Sequence, residues 1–197
     1  QIRILGNGFD IEHKLPTQYK DFLGFIREYM DLYKTEKIEL SLEEVRDDAK
    51  REFFKSIIIG DKKEIGKRLF DSVKDNKWIE YFLNNQTYIK ENWIDFESEI
   101  SKIVVLLEKA KDAYEKEALF LTEQIEPSNA MRVFYKEMYP DKENRVTGIS
   151  GIVFPNTKKM LLNDLNRMIK ALEIYLAEFV GEITIKHYNR NIAEYNK

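Results

Sequence analysis

The chain has 197 residues, 43% of them apolar and 34% charged, with a formal net charge of -3. That length sustains one domain, or one domain carrying an inserted subdomain, and the composition fits a folded, helix-rich protein rather than a disordered one. There is no basic block to bind nucleic acid non-specifically, no cysteine for disulfides, thiolate zinc or a thiol nucleophile, and no apolar run of about 18 residues to span a membrane.

Ile2-Arg3-Ile4-Leu5 is short, β-branched and stopped by Gly6, which predicts a strand ending in a tight turn. Gln1 already abuts that strand, so the native chain is expected to begin upstream, and a missing signal peptide excludes nothing. Thr17, after Pro16, is expected to N-cap a helix from Gln18 to about Lys34. Its apolar positions Tyr19, Phe22, Leu23, Ile26, Tyr29, Met30 and Tyr33 keep helical spacing. Ser41-Leu42-Glu43-Glu44 reads as a capping box, with Leu40 and Val45 as a hydrophobic staple, opening a helix to about Ile59 that Gly60 stops. Asp61-Lys62-Lys63-Glu64 repeats the spacing and opens a shorter helix through Val73.

Trp78, Ile79, Phe82 and Leu83 predict a helix ending near Asn84-Asn85. Trp93, Phe96, Ile100, Ile103, Val104 and Leu107 predict a long one continuing toward Ile125, before Pro127. Residues 127–157 hold three of the four prolines and read as a loop. Asn156 or Thr157 then caps a helix carrying Met160, Leu161, Leu165, Met168, Ile169, Leu172, Leu176 and Phe179, which Gly181 interrupts. Tyr188, Ile192 and Tyr195 give a last helical segment. One strand cannot satisfy its own edges, so Ile183–Lys186 and Gly151–Phe154 are expected as its partners, unless sequence beyond Lys197 completes the sheet.

Gly6-Asn7-Gly8, after a strand, lets backbone N–H groups approach a phosphate closely. The dinucleotide fingerprint places a third glycine where this chain has Ile11, so an ordinary tight turn stays open. Asp10 and His13 follow, either as site residues or as a turn cap and a solvated loop residue; with only His187 besides, no metal site is expected. In Trp93-Ile94-Asp95-Phe96-Glu97-Ser98-Glu99, helical geometry puts Glu97 on the face of Trp93. A carboxylate on a packing face is costly unless partnered. Glu97, ahead of Asp95 and Glu99, is therefore the candidate for a site or a structural hydrogen bond, the alternative being a solvated acidic face.

The run Ile4-Leu5-Gly6-Asn7-Gly8-Phe9-Asp10-Ile11, with His13, Leu15-Pro16-Thr17, Tyr19, Asp21 and Phe22, resembles the N-terminal signature of the AbiH family of bacterial phage-resistance (abortive infection) proteins. Trp93, Phe96 and Glu97 are similar to a Trp/Glu motif of that family's helical region. Lys14 departs from the family's usual glycine, which restricts that turn's backbone. The family's Phe-Asn-Tyr-Thr strand end and later His-Gly have no counterpart, so the chain is expected to continue past Lys197.

The family pattern is in turn similar to sirtuin-like NAD-binding domains. The resemblance implies an α/β fold that is mostly α in this chain. Residues 1–19 would start a Rossmann-like nucleotide-binding core, and residues 20–197 would form a helical subdomain of about six or seven helices. It implies that Gly6, Asn7, Gly8, Phe9, His13, Pro16 and Thr17 bind NAD or a related nucleotide, with Asp10 or Glu97 placing negative charge beside the ribose. The function implied is that of a cytoplasmic anti-phage protein binding or hydrolysing such a nucleotide, triggered by a phage or host protein, with homo-oligomerisation open. The alternative is a non-enzymatic helical recognition module. A nucleic-acid-acting toxin, with Asp10 and Glu97 sharing a magnesium, is disfavoured by the mild acidity.

Overall fold

The computed structural model describes residues 15–84, 96–115 and 150–186. Seven α-helices occupy them: α1 Tyr19–Lys34, α2 Ile38–Glu43, α3 Asp48–Ile58, α4 Lys63–Val73, α5 Lys77–Asn84, α6 Phe96–Glu115 and α7 Ser150–Ile174. The last runs on through a π-helical turn, Tyr175–Val180, and stays helical to Lys186. No helix among the described residues is long and apolar enough to cross a membrane.

There is no strand among the described residues, which corrects the α/β expectation. Ile2–Leu5 lies outside them, but both segments expected to pair with it are helix. Gly151–Phe154 falls within α7, and Ile183–Lys186 extends the turn that follows it. The β-branched Ile183, Thr184 and Ile185 favour a strand only weakly, whereas a helix already nucleated at Tyr175–Val180 gains one hydrogen bond per residue added. Thr184 Oγ1 also donates to the Val180 carbonyl at 2.8 Å, the back-bond available to threonine inside a helix. The loop expected over 127–157 is likewise helical from Ser150 onward; its earlier part, with the segment around Tyr188–Tyr195, lies outside the described residues.

The chain divides into two compact units, Gln1–Asn76 with Asn166–Lys197, and Lys77–Leu165. In the first, α1 buries Phe22, Leu23, Phe25, Ile26, Tyr29 and Leu32, a stripe of threes and fours. Rings of α3 and the π-helical turn close on it: Phe25 lies 4.9 Å from Phe54 and 5.0 Å from Phe179. Helix α4 approaches α3 at Gly66, where a Cβ would stand 2.1 Å from the Ile57 carbonyl oxygen, so only glycine fits. The buried Tyr29 hydroxyl donates to the Gly66 carbonyl at 2.7 Å. Arg167 closes the other end of α4, donating to the Asp71 carbonyl at 2.8 Å and to that of Lys74.

The single helix expected from Ser41 to Ile59 is two. Leu40 is 58% exposed and forms no staple, and the backbone leaves helix after Glu43. The Asp47 carboxylate then accepts from the Lys50 N–H at 3.0 Å and starts α3 afresh.

The second unit is built from α5, α6 and the part of α7 up to Leu165. Asp164, 3% exposed, accepts from the Lys77 N–H at 2.9 Å and so caps α5 from another helix. The Trp78 Nε1–H donates to the Leu161 carbonyl at 2.8 Å, and Phe82 stacks on Phe96 at 4.1 Å.

Candidate functional site

Of the residues that the sequence singles out, Gly6, Asn7, Gly8, Phe9, Asp10 and His13 lie outside the described residues. Pro16 and Thr17 belong to the first unit and Glu97 to the second.

The described end of the opening motif is Leu15-Pro16-Thr17-Gln18. Proline contributes no N–H, and the turn is closed by the Thr17 N–H donating to the Leu15 carbonyl at 2.9 Å. Helix α1 then begins, with the Asp21 carboxylate accepting from the Gln18 N–H at 3.2 Å. Thr17 does not cap the helix. Its Oγ1 is buried and has no hydrogen-bond partner among the described residues, whereas the Gln18 side chain joins Asp21 in a capping box. Buried hydroxyls are normally paired, so the Thr17 oxygen is a feature to be accounted for.

The segment is held from the far end of the sequence. The Tyr175 hydroxyl donates to the Pro16 carbonyl, and its ring packs against Phe22 at 5.6 Å and Phe25 at 4.9 Å. Tyr175 is 1% exposed and is the first residue of the π-helical turn. Phe179 and Val180 of the same turn are buried with Tyr175. Burial pushes the Tyr175 hydroxyl far above the ordinary tyrosine value, and the negative charges of Asp21 and Asp47 push it further the same way. It is therefore a neutral donor at physiological pH.

Glu97 does not occupy the packing face expected for it: it is exposed on the first turn of α6. The buried acid is Glu99, 6% exposed, which accepts from the Tyr81 hydroxyl at 3.1 Å and pairs with Lys102 at 2.7 Å. The reason is phase. Counting from Trp93 selects Glu97, but the face that packs is Phe96, Glu99 and Ile103. Tyr175 escaped the sequence reading for a similar reason, since the stripe traced through Leu172 and Leu176 follows the exposed flank. The spacing Met168, Ala171, Tyr175, Phe179 marks the buried face and was the available signal.

Elsewhere in the first unit, α4 and α7 border an open groove of about 450 Å³. Its rim carries both signs of charge, from Arg68 and Lys170 to Asp71, Glu173 and Glu178. Of the sequence-predicted site residues that are described, Pro16, Thr17 and Glu97, none lines it. Among the described residues, no group of three or more His, Asp or Glu side chains could hold a metal ion.

Compared with protein families, the chain matches the family model described as "Bacteriophage abortive infection AbiH" over residues 2–197. No curated protein and no solved structure matches it.

Proposed function

Because the chain belongs to the AbiH family of bacteriophage abortive-infection proteins, and abortive infection is accordingly its role, we propose that it serves that role by recognising NAD or a related nucleotide at the opening motif. In this reading Gly6, Asn7 and Gly8 hold the phosphates through backbone N–H groups, which glycine lets approach closely. Phe9 and His13 flank the ligand, and Pro16 and Thr17 form the far wall.

The observation that carries the reading is the buried Thr17 Oγ1, without a partner among the described residues. A hydroxyl that can donate or accept suits the hydroxyls of a ribose. Asp10, within the opening motif, is the acid of the proposal. Its charge would favour the cationic ribosyl centre that develops when a nucleotide's glycosidic bond breaks.

The test is direct. The purified full-length protein is incubated with NAD, and nicotinamide release and the nucleotide-induced rise in Tm are followed. Release that Asp10→Asn abolishes, with a thermal shift that Gly8→Val abolishes, supports the proposal; neither release nor shift in the wild type sinks it.

A second reading, a helical module that recognises a phage or host protein without chemistry, draws on large apolar side chains left in solvent. Leu162 is 59% exposed and Ile185 61%. It prevails if Asp10→Ala leaves phage restriction intact while Leu162→Lys or Ile185→Lys abolishes it.

A further inference from the structure

We infer that Tyr175 is the positioning residue of the opening motif: its hydroxyl, at the start of the π-helical turn, holds the Pro16 carbonyl and thereby fixes where Thr17 presents its hydroxyl. The inference rests on the nucleotide reading above and adds a residue to it that the motif does not contain.

Three observations converge. Leu15-Pro16-Thr17 is closed locally by one backbone hydrogen bond and lacks the N–H that any residue but proline would supply, so its orientation must be set from outside. The tether comes from 159 positions away in sequence and ends on Pro16, the residue before Thr17, whose buried hydroxyl has no partner among the described residues. Finally, the donor sits at the start of a π-helical turn. Such turns are rare, less favourable than regular helix, and found disproportionately at functional sites. The rings of Phe22 and Phe25 on Tyr175 fix the direction of the hydroxyl, and a buried phenol stays protonated, so the tether does not titrate away under physiological conditions.

Tyr29 supplies the matched control. It is equally buried, lies in the same unit, and also donates its hydroxyl to a backbone carbonyl, that of Gly66, with no motif nearby. Tyr175→Phe and Tyr29→Phe each remove one oxygen, keep the ring, and should lower Tm by a similar few degrees. A merely structural hydroxyl would do no more.

The experiment compares the two variants by hydrogen exchange over Leu15–Asp21 and by NAD titration. Tyr175→Phe should speed exchange at Thr17 and Gln18 about tenfold and weaken NAD about tenfold, whereas Tyr29→Phe should change neither. A wild type that binds NAD and loses none of that affinity in Tyr175→Phe overturns the positioning role alone. So does unchanged exchange at Thr17 in that variant. A wild type with no affinity for NAD overturns the nucleotide reading, and the positioning role with it.

Discussion

Both units combine ring packing with buried hydrogen bonds, and the balance between the two differs. In the first, Phe25 packs among Phe53, Phe54, Tyr175 and Phe179, with ring centroids 4.9 to 6.0 Å away, and every ring belongs to the core. The second joins its helices with directed hydrogen bonds from buried polar groups. Asp164 caps α5, the Trp78 indole reaches the Leu161 carbonyl, and the Tyr81 hydroxyl reaches Glu99. Ring packing is stabilising in proportion to area and indifferent to small rotations. A buried hydrogen bond contributes less but fails abruptly, because the partner left behind has lost its water. One unit should therefore be sensitive to lost volume, and the other to lost partners.

The largest expected effect falls on volume. Phe25→Ala should cost about 3–5 kcal/mol, read as a lower urea midpoint, because four rings would line the cavity. Phe25→Leu should recover more than half of that. A loss below about 1 kcal/mol for the alanine variant would show that the cluster collapses freely, and that the contrast between the units is not one of packing.

Next comes pH. Tyr29 and Tyr175 are pushed far above the ordinary value of 10.0, mainly by burial. The unfolded chain releases these protons near 10.0 while the folded chain keeps them, so the unfolded state binds fewer protons and stability falls as pH rises. Each hydroxyl should contribute about 1.4 kcal/mol of loss per pH unit above that value. Below it the contribution is fully present. Alkaline unfolding with urea should become shallower in Tyr175→Phe and shallower again in the double variant with Tyr29→Phe. An unchanged slope would contradict the burial of these hydroxyls.

The second unit should answer to partners instead. Asp164→Ala removes the cap on the Lys77 N–H and should cost about 0.5–2 kcal/mol. Asp164→Asn, which keeps an acceptor oxygen, should cost less. The emission of Trp78, whose ring lies in the same unit, should shift in the alanine variant before global unfolding. Equal costs for the two substitutions would mean that the oxygen contributes nothing.

How far the sequence foretold this depends on how local the deciding physics was. Helix α1 was legible to its last residue because its stripe of apolar positions is long and regular, although its N-cap fell on Gln18 rather than Thr17. The break between α2 and α3 was hidden because Ser41-Leu42-Glu43-Glu44 fits a capping box better than its surroundings do. The start that won, at Asp47, is reinforced by the Arg51 guanidinium donating to the Val45 carbonyl at 3.1 Å, a contact no local pattern announces. Of the candidate site, Pro16 and Thr17 were visible as a motif, while their holder was not. Tyr175 is brought to them by tertiary packing across 159 positions, which no local pattern announces. The strand assigned to Ile183–Lys186 failed for the same reason: residue preference was weighed without the helix that enters it.

That failure supplies the smallest and most diagnostic prediction. Gly181 was expected to interrupt the last helix, yet its backbone is α-helical, with φ -57 and ψ -44. A Cβ there would stand 3.7 Å from the Leu176 carbonyl oxygen, an ordinary contact. Gly181→Ala should therefore stabilise the protein by about 0.5–1 kcal/mol, chiefly by restricting the unfolded chain. Gly66 carries the opposite sign, since a methyl there meets the Ile57 carbonyl oxygen at 2.1 Å and α3 and α4 must part. Both glycines lie in the first unit, so a pair of denaturant midpoints moving in opposite directions separates a glycine required by packing from one merely tolerated. If Gly181→Ala were destabilising, this glycine too would be one that packing requires.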